Sequence, residues 1–193
     1  FTEETLPTQG DNMRSLIFWI SSVLIGLTAP TVHATEVFLM QVPGVRGDVT
    51  LAGFPGWISI GTFSAGFSNA ATATSGAVTA GTPSCQPLQV IKPLDLTSPA
   101  LSMGVILGTA YPTVTLEALN QTSTSLIPFL RFTLSDVMIS SISFSGTGAS
   151  SAQYESMTLI YGQIQVTYWT QSATGAPAAA VSTTINCLTG TAS

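Results

Sequence analysis

The stretch PFLRFTLSDVMISSISFSGTG, residues 128–148, and its sequel YESMTLIYGQIQVTYW, residues 154–169, decide the fold. In the first run Leu130, Phe132, Leu134, Met138, Ile142 and Phe144 share even parity. In the second, Met157, Leu159 and Tyr161 share odd parity, then Ile164, Val166 and Tyr168 share even parity. Period-two alternation in runs rich in β-branched and aromatic residues, bounded by Gly and Ser, predicts two long strands, 129–144 and 154–169, paired as an antiparallel hairpin. The parity change within the second run predicts a one-residue bulge marked by Gly162.

Outward from this hairpin, β-type patterning predicts further strands at 36–42, 49–52, 57–67, 86–91, 113–120 and 181–188. The breaks fall on turn chemistry, at Pro43-Gly44, at 53–56 and at Gly146-Thr147-Gly148. One helix is marked between Ser98, a cap residue followed by Pro99 in the first turn, and Gly108, suited to a left-handed terminus. Leu101, Val105 and Ile106 give it an apolar face that must pack on something. The predicted class is mainly β, an antiparallel barrel or two-sheet sandwich with one short covering helix. Segments 68–84 and 172–180 carry no charged residue and read as exposed loops. Loops of the first one's length inside a compact domain often have a binding role.

Residues 13–34 read as a secretory signal peptide. Arg14 supplies the positive start, 16–27 the apolar core, and Val32-His33-Ala34 a small-residue cleavage site. The apolar core is shorter than a membrane span requires, so no membrane attachment is expected after cleavage. Residues 1–12 precede the first methionine, Met13, and are set aside. The remainder, 35–193, is expected to form a single domain, exported to the periplasm or the extracellular space.

That domain has only Arg46, Lys92 and Arg131 against Glu36, Asp48, Asp95, Glu117, Asp136 and Glu155. It has no basic cluster, so nucleic acid is not an expected partner. A surface of Ser, Thr, Gln, Asn, Ala and Gly repels its own copies weakly. That suits self-association, and it also suits a merely neutral exported domain. Cys85 and Cys187 are the two cysteines, and in an exported chain an even count predicts a disulfide, within one subunit or between neighbours.

Enzymatic chemistry is poorly provided for. The one histidine, His33, lies in the signal peptide, which removes His-based triads and most zinc sites from the domain. No glycine-rich phosphate loop or dinucleotide fingerprint is present, and no cofactor or metal is expected. Asp136 and Glu155 lie on adjacent predicted strands and are the one carboxylate pair to weigh. The simpler reading places Asp136 at an interruption of the strand and Glu155 at a solvated strand end. The domain is therefore not expected to be an enzyme, and its catalytic residues are none.

The ordered series of segments resembles Hcp, the haemolysin-coregulated protein family that forms the inner tube of type VI secretion systems. Residues 129–168 are similar to that family's C-terminal hairpin, and VFLMQVPGVRG, residues 37–47, to its opening strand and turn. Residues 57–67 and 85–111 are similar to its second strand and its strand–helix segment. The resemblance implies a homo-oligomer of hexameric rings stacked into a hollow tube or filament, with any lumen cargo undetermined. It also implies that the segment 65–83, bracketed by Ala65 and Pro83 and including Ala71 and Ala77, reaches the neighbouring ring. A cleavable signal departs from the family pattern, since its tubes assemble in the cytoplasm. The alternative expectation is a monomeric secreted β-sandwich that binds a sugar or peptide.

Overall fold

The computed structural model describes residues 35–122, 125–146, 148, 153–171 and 177–193. The expected signal peptide and residues 1–12 lie outside the described residues, as does 172–176 of the second expected loop. Eleven strands and one helix follow in order. They are β1 (Thr35–Gln41), β2 (Ile58–Ile60), β3 (Thr62–Asn69), β4 (Thr72–Thr74), β5 (Ala77–Thr79), β6 (Pro83–Pro93), α1 (Ser98–Leu107), β7 (Ala110–Gln121), β8 (Leu126–Ser145), β9 (Tyr154–Gln171), β10 (Pro177–Asn186) and β11 (Thr191–Ala192).

Every pairing is antiparallel, and the main sheet runs β11-β10-β9-β8-β7-β1-β2. β9 forks: its first half, from Tyr154 to Leu159, pairs with β6, and its second half, from Gln163 onward, pairs with β10. β3 continues β2 past Gly61 and pairs with β6. The sheet is not closed into a barrel by an unbroken ladder; it folds over in sandwich fashion, which resolves the two forms left open above. The fold-over is visible in the aromatics. Phe63 of β3 meets Phe38 of β1 and Phe132 of β8 edge-to-face, with centroids 5.2 and 5.6 Å apart. Between the layers lie Met40, Ile58, Leu88, Val90, Leu116, Leu134, Met157, Leu159 and Ile164, all buried. Burial of such side chains, about 1.5–3 kcal/mol each, is the dominant stabilising term.

The long hairpin forms as expected, but its irregularities sit elsewhere. Ser135 pairs with Gln163 and Val137 with Tyr161, so the register is unbroken across Asp136 and Gly162. Asp136 adopts φ 55°, a left-handed conformation unusual for a non-glycine residue. That twist flips the alternation of both strands together. Before it Phe132 and Leu134 are buried; after it Val137 and Ile139 are, while Met138 turns outward. The register shift falls between Ile139 and Ser141, not at Gly162.

Helix α1 matches its expected span and ends on Gly108 at φ 62°. Its N-cap is Thr97, not Ser98, and no side chain caps it. Asp95 organises the entry instead: its carboxylate accepts the Thr97 N–H at 2.8 Å, and its own N–H donates to Ser98 Oγ at 3.2 Å. Leu101 and Gly104 are buried and Val105 packs on the core, but Ile106 points away and is exposed. Small residues at 98 and 104 let the 98–101–105 ridge sit close to the body, where Gly104 lies under the Tyr111 hydroxyl. The expected strand 49–52 is a loop. Its polar groups are used locally, Gly56 N–H donating to Val49 O and Gly47 N–H to Gly56 O, both at 2.8 Å.

Candidate assembly surface

The uncharged segment after β3 is a ribbon where the sequence predicts a loop. β3 and β6 stay paired as far as Asn69 and Pro83, and β4 and β5 then form a second ladder matching Thr72 to Thr79, Ala73 to Val78 and Thr74 to Ala77. Gly76, at φ 98°, supplies the turn. The two ladders are spliced by Ala70 N–H to Thr82 O at 3.2 Å and by Gly81 N–H to Asn69 Oδ1 at 2.8 Å. A Cβ at Gly81 would collide with the Ala70 carbonyl, so only glycine fits that splice. The Thr/Ala/Ser sequence hides this because its two faces are equally solvated and show no alternation. Residues 68–84 are all exposed.

Of the residues expected in this arm, Ala71 lies between β3 and β4, Ala77 opens β5 and Pro83 opens β6, all exposed. Ala65 is different: it sits in β3 where the register shifts between Ser64 and Gly66, and it packs on the core. It belongs to the arm's root. Sequence patterning does not single out Val78, which is 79% exposed at the far end.

Cys85 and Cys187 form a disulfide within the chain, with Cα atoms 5.5 Å apart. Cys85 is opposite Phe67 in the arm's root, and the Cys187 N–H donates to Gly162 O of β9. Beside it an apolar groove of about 340 Å³ runs between Phe67 and Pro83 on one side and Ile185 and Gly190 on the other.

Charge is scarcer on the outside than the composition suggests. Lys92, fully buried, lies 2.8 Å from Asp95 and 2.7 Å from Glu155, which faces it across the β6–β9 ladder. Glu155 is therefore not at a solvated strand end, and its Oε2 is buried without a hydrogen-bond partner. Burial pushes the Asp95 pKa up, but hydrogen bonds from Lys92 and Thr97 and the Lys92 charge outweigh it and hold it below 3.8. Glu117, buried, lies 2.6 Å from Arg131, whose guanidinium also stacks over Trp169 at 5.1 Å. Five of the nine charged side chains in the described residues are consumed in these pairs. Asp136 and Glu155 do not meet: Glu155 is opposite Phe144, Asp136 opposite the glycine at 162.

Among the described residues, β3 and β10 are two of the strands with an open edge. β3 pairs only with β6, and β10 from Pro177 to Thr183 has β9 on one side and no strand on the other. Neither β3 (TFSAGFSN) nor β10 (PAAAVSTTIN) carries a charge. Sheet edges are normally guarded by charge, by brevity or by cover. Pro177 is the guard visible on these two strands.

A family model described as type VI secretion system effector, Hcp, matches residues 39–168. The chain is similar to protein hcp1 of Pseudomonas aeruginosa, 34% identical over 91 residues, which cover 47% of this chain and 56% of that protein. The match thus spans little more than half of that relative's length. Among solved structures, one described as that of a type six secretion system protein superposes with a TM-score of 0.77 at 24% identity, covering 82% of this chain and 100% of that one. The crystal structure of Hcp1 from Salmonella typhimurium superposes with a TM-score of 0.68 at 16% identity, covering 83% of this chain and 100% of that one. At these identities the two structures speak to the fold.

Proposed function

The chain belongs to the Hcp family of type VI secretion proteins, and from that membership we propose that it is an exported tube subunit. Its copies close into rings, hexameric as the family resemblance implies, by pairing one open strand edge with another. The arm of residues 65–83 then engages the next ring. The observation that carries this reading is the pair of open, charge-free edges on one folded sheet, β3 and β10. Two different edges meeting head-to-tail make a heterologous contact, which closes into a ring or runs on as a filament. Main-chain hydrogen bonds supply affinity in such strand addition without needing charged partners. Sequestering five charges in internal pairs keeps like-charge repulsion out of the contact.

Export rests on the sequence reading of 13–34 and on the disulfide, a bond that persists in oxidising compartments. Among the described residues no helix is long and apolar enough to cross a membrane. The test is to charge the β10 edge. Ala179→Lys with Val181→Lys, both at exposed positions, is expected to leave a folded monomer. Unchanged rings in that variant would contradict edge pairing through β10.

A further inference from the structure

We propose that the Cys85–Cys187 disulfide is a latch that fixes the direction of the arm, so that ring stacking depends on oxidation; this rests on the assembly reading above. β6 leaves the sheet at Leu88, its last residue paired with β9. The next residue outward is Pro87, which has no N–H for a ladder; Pro87 and Leu88 of β6 together face the single Ala65 of β3 at the register shift, after which Gln86 pairs with Gly66. A bulge on β6 that contains a proline, facing Ala65 and next to Gly66 of β3, makes this the weak point of the ribbon. Beyond it only two strands remain, and an isolated two-stranded hairpin is marginal in water.

Three contacts splint the weak point, all to the body's C-terminal region or β9. The Tyr161 hydroxyl donates to Gln86 O at 2.8 Å, Gly190 packs under the Pro83 ring, and the disulfide joins Cys85 to Cys187. Only the last is covalent. With it closed, the ribbon is held as far out as Cys85; with it open, the hinge retreats to Pro87 and Gly66. Cys187 is in turn anchored through its N–H to Gly162 O, so the splint ends on the long hairpin. An arm that must meet a neighbour in one direction binds in proportion to the time it spends there.

The chemistry is thiol–disulfide exchange. A dithiol breaks the Cys85 Sγ–Cys187 Sγ bond, delivers two electrons and two protons to give two thiols, and leaves as its own cyclic disulfide. An oxidised thiol–disulfide oxidoreductase, or a small-molecule disulfide, runs the exchange in reverse. Subunits in a reducing compartment would therefore stack poorly, and oxidation after export would switch stacking on.

The test compares the oxidised full-length protein, the same protein reduced with dithiothreitol and blocked with iodoacetamide, and a Cys85→Ser/Cys187→Ser variant. Hydrogen exchange over the first minutes reads the arm directly. Amides of Ala70, Gly81 and the Asn69–Pro83 end of the ladder are expected to exchange about tenfold faster when the bond is open, because their hydrogen bonds lie within a two-stranded ribbon that opens more often without its splint. Those of β8 and β9 should keep their protection on that timescale, and stacked rings at matched concentration should fall by a similar factor. Equal arm exchange in the three samples would overturn the latch. So would an equal rise in β8 and β9, which would make the bond a general staple. A loosened arm with undiminished stacking would overturn the gating. Oxidised protein that never stacks would instead overturn the assembly reading, while the exchange data still decide whether the arm is latched.

Discussion

Asp136 faces Gly162 across the β8–β9 ladder, and a Cβ added at 162 would lie 3.2 Å from the Asp136 Cβ and 3.3 Å from its Oδ2. This pair is the point where the alternation of the whole hairpin inverts. The left-handed Asp136 needs its partner to be small, so Gly162→Val should destabilise the domain by about 1–3 kcal/mol through overpacking. Asp136→Gly should do the reverse. Relief of a left-handed cost of about 1–2 kcal/mol exceeds the entropy cost of a glycine, about 0.5–1 kcal/mol. Urea unfolding of both variants checks the pair of signs.

Gly104 gives a second steric prediction, one in which propensity and packing oppose each other. Alanine is better than glycine in a helix by about 1 kcal/mol. Here its Cβ would press into the Tyr111 hydroxyl. Overpacking in a close core contact costs about 1–3 kcal/mol, so Gly104→Ala should lower stability. Combined with Tyr111→Phe, which removes the obstructing oxygen, the same alanine should become neutral or stabilising. A double-mutant cycle by thermal melting reads the coupling.

The buried ion group predicts an asymmetry. Lys92→Met strands Glu155 in the interior and should cost about 3–5 kcal/mol, whereas Lys92→Met with Glu155→Leu should recover most of the loss. The group also sets an acid limit. Because the folded pKa of Asp95 lies below 3.8, its contribution is fully present above that value and is lost as pH falls through the folded pKa. The stability gap between the protein and Asp95→Asn should therefore hold at neutral pH and narrow below pH 3.8. A gap that stays constant down to the acid transition would contradict the assignment.

Legibility in the sequence followed burial on one face. The β8–β9 hairpin and α1 could be read because long runs alternate or repeat against a core, and Pro99 and Gly108 bracket the helix. The inversion at Asp136 was visible only as a parity change, which a bulge at Gly162 would explain equally well. The β4–β5 hairpin could not be read, since both its faces are wet and Thr and Ala show no preference between them. Glu155 was misplaced for a related reason. A charge next to a strand's start suggests solvent, and its partner Lys92 is sixty-three residues away in the chain, brought opposite only by the β6–β9 pairing. Ile106 followed helical spacing yet faces outward, because the small residues Ser98 and Gly104 set which side of the helix lies close to the body.

Charging the arm separates its two levels of assembly. Ala71→Lys with Ala77→Lys adds like charges to an exposed ribbon that has none. The fold and the rings should survive, since neither residue lies on β10 or in the core. Stacking should weaken at low salt and partly recover as salt screens the repulsion, the Debye length falling from about 10 Å at 0.1 M to 3 Å at 1 M. Loss of the rings themselves would mean that the arm works within a ring.

The central claim is self-assembly through open edges and a latched arm, and the mass of the oxidised protein in solution tests it most directly. Light scattering behind size-exclusion chromatography, with negative-stain images of the same fractions, should give closed rings of several subunits that stack into columns as concentration rises. A single species with the mass of one subunit at high concentration, and fields without rings, would contradict it.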